Sequence, residues 1–65
     1  MYYKLLNEIA KKGITRKSLA NRIGVTEKTL FNKLNGRSDF TFTELKKIRN
    51  IVAPEYNLEK LFEIK

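Results

Sequence analysis

Apolar residues recur along this chain at helical rather than alternating spacing. Tyr2, Leu5, Leu6 and Ile9 form one stripe, Leu19, Ala20 and Ile23 a second, Leu30 and Leu34 a third, and Leu45, Ile48 and Val52 a fourth. Between the stripes stand the glycines and the single proline, at Gly13, Gly24, Gly36 and Pro54. Each is followed by an apolar residue and then a capping residue, in the pairs Ile14-Thr15, Val25-Thr26, Phe40-Thr41 and Tyr56-Asn57. A leucine lies four residues beyond every cap, at Leu19, Leu30, Leu45 and Leu61, where it meets the residue before the cap as a hydrophobic staple. Thr41-Phe42-Thr43-Glu44 is in addition a capping box. The pattern predicts helices at about 2–12, 15–23, 26–35, 41–53 and 57–64. Phe40-Thr41-Phe42-Thr43 alternates briefly, but its capping box outweighs a strand. The stripes, with Ile14, Val25, Phe40 and Phe42, are expected to form the core of one compact all-α domain over residues 1–65.

Composition narrows the chemistry. A chain of 65 residues buries only about 60% of its unfolded surface, so its core must be economical. It contains no cysteine and no histidine. That leaves no disulfide, no thiolate nucleophile and none of the usual zinc ligands, and no metal or cofactor is expected. No apolar run approaches the roughly 18–20 residues of a membrane span, and no signal-peptide pattern precedes the first helix. A soluble, cytoplasmic protein is expected, with no membrane partner and no small-molecule substrate. Catalysis would need paired carboxylates or an activated lysine, and Asp39, Glu44, Glu55 and Glu63 are better explained as caps, turns and solvated faces. The chain does not read as an enzyme.

The stretch from Thr15 to Leu34 is the most informative. Two short amphipathic helices are joined by Gly24-Val25-Thr26, with Ala20 small enough to let them cross. This is a helix-turn-helix, the arrangement that lays a second helix in the major groove of DNA. Leu19-Ala20, Gly24-Val25-Thr26, Leu30, Asn35-Gly36, Phe40-Thr41 and Leu45 together resemble the DNA-binding domains of phage Cro proteins and lambda-type repressors, the Xre-like family. The resemblance runs over about residues 14–62 and implies a compact five-helix, lambda-repressor-like fold. There are departures. Arg16 and Glu27 stand where the family often has glutamine, and Lys33 occupies a position usually apolar, with Leu34 taking its place. The resemblance is closer to the small Cro-type repressors, and no oligomerisation or protease-like domain is expected to follow.

Charge sharpens the reading. Residues 1–38 hold nine Lys/Arg against Glu8 and Glu27, whereas residues 39–65 balance five against five. The whole net charge of +7 therefore lies in the half with the helix-turn-helix, the footprint of a polyanion binder. With Leu30 and Leu34 inward, Lys28, Phe31, Asn32 and Asn35 face outward. Lys28 suits guanine O6 and N7, Asn32 suits adenine N6 and N7, and Glu27 suits cytosine N4. For Glu27 a purely helix-dipole role is the alternative. Phe31 is grouped with these base-contacting residues as a ring for a thymine methyl, the alternative being that it folds over the helix edge onto its own domain. Phosphate contacts are expected from Arg16 and Lys17 at the start of the second helix, and from Thr29, Lys33, Asn35, Arg37 and Ser38 around the third. Arg22, Lys11 and Lys12 read as solvated surface.

The expected partner is double-stranded DNA, bound as a transcriptional regulator that occupies an operator. One helix reads only a few base pairs, so a homodimer on a pseudo-palindromic operator is expected. Leu58, Leu61, Phe62 and Ile64 in the last segment are candidates for its interface, the alternative being that they complete the core. The rival function is a protein-interaction module, antitoxin-like or adaptor, using the same fold.

Overall fold

Side-chain caps set where four of the five helices begin. The computed structural model describes residues 2–64 and contains α1 (Tyr3–Lys11), α2 (Arg16–Ile23), α3 (Glu27–Leu34), α4 (Phe42–Val52) and α5 (Leu58–Leu61), with no strand among the described residues. Thr15 Oγ1 accepts the Ser18 N–H at 3.1 Å and Thr26 Oγ1 the Thr29 N–H at 3.1 Å. Asn57 Oδ1 accepts the Lys60 N–H at 2.8 Å. At α4 the box is complete: Thr41 Oγ1 accepts from Glu44 N–H while Glu44 Oε1 accepts from Thr41 N–H. Each cap satisfies an orphan amide and fixes the register of the helix that follows. Only α1 starts without one.

The helices pack around Leu5 and Ile9 of α1, Leu19, Ala20 and Ile23 of α2, Leu30 and Leu34 of α3, Ile48 and Val52 of α4, Ala53, and Leu61 of α5. The helix α2 lies between α3 and α4, and α1 and α5 both pack on α4 and on each other. Ala20 is almost completely buried, and its carbonyl accepts both the Gly24 and Val25 N–H groups, at 2.9 and 3.0 Å. Gly24 has φ of 82°, a left-handed conformation that costs a residue with a β-carbon about 1–2 kcal/mol. The turn therefore needs glycine, and it brings α3 back against α2.

Three expectations are corrected. Phe42 is 66% exposed rather than core, and Leu45 is only half-buried. At about 100° per residue, Phe42 stands about 120° from the buried Ile48 and Leu45 about 60° from it, so the box that sets the start of α4 also turns Phe42 outward. The last helix spans only Leu58–Leu61. Its Leu61 is fully buried, and Phe62 packs edge-on against Tyr2 (5.8 Å between ring centroids) and Phe40 (5.7 Å). With the Tyr2–Phe40 contact at 5.5 Å the three rings close the start of the chain, the α3–α4 loop and the end of α5 on one another. Leu61 thus belongs to the core of its own domain, Phe62 packs against that core and stays half-buried, Leu58 is half-buried and Ile64 is 64% exposed.

Lys12 is a further departure, since it is not a freely solvated cation. Its Nζ donates to the Val52 carbonyl and to Glu55 Oε2 at 3.1 Å, and lies 3.5 Å from Glu8 Oε1. One ammonium thus satisfies the end of α4 and ties it to the end of α1. Burial pushes the Lys12 ammonium down, but Glu55 and then Glu8 outweigh it and raise it above the ordinary lysine value. In turn, the Glu55 carboxyl is held below the usual range by its own backbone N–H and by Lys12.

Candidate nucleic-acid interface

The outward side of α3 and the two turns that bracket it form the candidate interface. Glu27 and Lys28 are exposed, Phe31 is 40% exposed and Asn32 is half-buried. Opposite them Leu30 and Leu34 are buried, which holds the helix with this side to solvent. Thr29 is half-buried, and its hydroxyl accepts from Thr26 Oγ1 at 2.9 Å, within the cap.

The exit from α3 is equally ordered. Gly36 has φ of 79°, the Arg37 N–H reaches the Asn32 carbonyl at 2.9 Å, and the Gly36 N–H reaches that of Lys33 at 3.2 Å. These are the paired bonds of a Schellman turn, which places Arg37 and Ser38 just past the helix end. Both are exposed. Asn35 instead folds back, its Nδ2 donating to the Phe31 carbonyl at 3.0 Å.

The expected phosphate set separates accordingly. Arg16, Lys17, Arg37 and Ser38 are exposed. Lys33 is not available: its side chain is only 13% exposed and its Nζ donates to Glu44 Oε1. It lies on the inward side of α3, at a position where an apolar residue is usual, and the Glu44 carboxylate supplies there the partner that burial demands. The residue type alone suggested a surface cation. The signal that identifies the pair is a lysine three residues after a buried leucine, together with an acid fixed at the third position of the next helix.

One contact within the site was not anticipated. The Arg16 guanidinium carbon lies over the Phe31 ring, 4.9 Å from its centroid. Leu6, Arg16, Phe31, Leu34 and Asn35 line a shallow depression of about 250 Å³ there. The alternative reading of Phe31, a ring turned over the helix edge toward its own domain, describes this geometry. A larger concavity, about 490 Å³, is lined by Tyr3, Lys4, Asn7 and Glu63, and includes no residue of α2 or α3.

Arg16, Lys17, Arg22, Lys28 and Arg37 are exposed and make no ion pair among the described residues, whereas Lys12 and Lys33 are neutralised by carboxylates. Around the helix-turn-helix, exposed cations without a carboxylate partner thus lie along α2, at the start of α3 and at its exit. No helix among the described residues is long and apolar enough to cross a membrane.

A capped α2, a left-handed glycine and a capped α3 packed on α2 define a helix-turn-helix domain. Residues 4–51 match the family model of the Cro/C1-type HTH DNA-binding domain, and the chain belongs to that family. The match takes in α1 and ends within α4, so α5 and the segment carrying Phe62 and Ile64 lie outside it. No curated protein and no solved structure matches the chain.

Proposed function

We propose that the protein is a sequence-specific transcriptional regulator of the Cro-like type, which lays α3 in the major groove of an operator and blocks polymerase. Glu27, Lys28 and Asn32 read base edges, while Arg16, Lys17, Arg37 and Ser38 hold the backbone on either side. Thr29 and Asn35 serve mainly the helix itself, their polar groups being used in the cap and the last turn.

The observation that carries this reading is the α3 face, open between exposed cations that have no carboxylate partner. An adaptor that mainly holds a protein partner has no need for this arrangement. The protein works as a symmetric dimer on a pseudo-palindromic site in the cytoplasm, because one α3 reads too few base pairs to compete with non-specific DNA. Leu58, Phe62 and Ile64 are the interface candidates left after Leu61 is assigned to the core.

Titrating the protein against duplex DNA over a series of salt concentrations tests the reading. Each phosphate neutralised adds about 0.9 to the slope of log K against log salt, so a steep fall in affinity is expected. Affinity that stays flat from low to physiological salt overturns it.

A further inference from the structure

Four cations of the basic half are held by other side chains, and they are held differently. Lys11, Lys12 and Lys33 meet carboxylates, which offset their charge. Arg16 meets a phenyl ring. A ring attracts a cation through its quadrupole yet accepts no conventional hydrogen bond from it. The guanidinium is therefore restrained while its charge and the donors along its edge remain free.

The ring is itself well placed for this. Phe31 extends from the middle of α3, whose last turn is fastened by the Asn35 side chain on the Phe31 carbonyl. Leu6 and Leu34 form the apolar floor beside it. Packing beside Leu6 and Leu34 buries part of the ring, which stays 40% exposed, with the Arg16 guanidinium over it.

We propose that Phe31 is a positioning residue for backbone binding: its ring fixes the Arg16 guanidinium against α3, so that the phosphate contact and the base-reading helix keep one relative orientation. This inference rests on the DNA-binding reading above and departs from the expectation that Phe31 touches a base. The gain is in preorganisation, because a long side chain restrained in the free protein loses less freedom when it binds.

The test measures binding of Phe31→Leu, Phe31→Ala and Phe31→Tyr to several unrelated duplexes over a salt series. Leucine keeps apolar bulk without the quadrupole, and tyrosine keeps the ring. Phe31→Leu and Phe31→Ala are expected to bind every sequence about 2–5-fold more weakly, with a salt slope smaller by up to about 0.9. Phe31→Tyr should match the wild type, and Phe31→Leu in an Arg16→Ala background should cause no further loss. In the free protein, upfield ring-current shifts of the Arg16 δ-protons should vanish in Phe31→Leu while its far-UV circular dichroism stays unchanged. Wild-type affinity and slope in Phe31→Leu overturn the proposal, as does a loss confined to sites with thymine at one position or one that persists without Arg16. A wild type with no salt dependence would instead overturn the DNA-binding reading itself.

Discussion

Lys33, on the inward side of α3, donates from Nζ to the Glu44 carboxylate that completes the cap of α4, so one acid joins the two helices. Both side chains are largely buried, at 13% and 15% exposure. The Lys33 ammonium, and after it the Thr41 N–H, hold the Glu44 carboxyl below the usual carboxylate range.

Stability should therefore fall in acid in a way that depends on Glu44. A depressed folded-state value means that the contribution is fully present above the ordinary glutamate value of about 4.3 and is lost as pH falls through the depressed one. Glu44→Gln keeps the capping geometry and removes the charge. Its melting temperature should lie below wild type at neutral pH and converge with it in acid. A difference that is independent of pH would show that the ion pair contributes nothing. Lys33→Ala should cost about 1.5–3 kcal/mol, the scale of a hydrogen bond to a charged group, measured by urea denaturation.

The crossing of α2 and α3 should not tolerate a larger side chain. Ala20 is 1% exposed, and overpacking of this kind costs about 1–3 kcal/mol. Ala20→Leu is expected to lower the melting temperature by several degrees. An unchanged value would mean that the helices have room to separate.

Gly24→Ala tests the backbone of the same turn separately from packing. An added β-carbon meets nothing within 4 Å, so the expected loss of about 1–2 kcal/mol comes from the left-handed conformation alone. Gly24→Asn should lose less, because asparagine visits that region more readily. Equal losses for both variants would point to a steric cause.

Base reading and backbone holding should separate in a randomised operator library. Asn32→Ala is expected to cost about 1–3 kcal/mol on the true site and to relax the choice at one base pair. Arg16→Ala should weaken all sequences about equally. If both variants give the same profile, the roles assigned to the two residues are wrong.

The last segment divides into core and surface. Leu61 is fully buried, so Leu61→Ala should cost about 2–5 kcal/mol. Ile64 is 64% exposed, so Ile64→Asp should leave the melting temperature within a degree or two while reducing cooperative occupancy of two half-sites. Footprinting with stoichiometry checks this. Wild-type protection of a single half-site by one chain at saturation would eliminate the dimer.

Four helix starts with their caps and the turn at Gly24 were legible in the sequence, though not the early stop of α5 at Leu61, because capping and left-handed turns are settled by residues adjacent in the chain. The sequence also determined that Leu30 and Leu34 face inward and Glu27 and Lys28 outward, since helical periodicity follows from spacing alone. Partnership between distant residues was decided only by the tertiary structure. Lys12 and Val52 are forty positions apart, and although Glu8 four residues earlier marks Lys12 as one half of a local pair, nothing in the sequence points to Val52 or Glu55. Likewise Lys33 reads as one more surface cation until α4 brings Glu44 beside it, and Phe31 as an unpartnered ring until α2 crosses α3 with Arg16 at its start. Phe62 shows the same limit: its apolar character was plain, but whether it faces a second copy or its own core depended on where Tyr2 and Phe40 came to rest. Local chemistry fixes each helix and its faces, whereas the crossing of helices decides which charges are cancelled and which stay free to meet DNA.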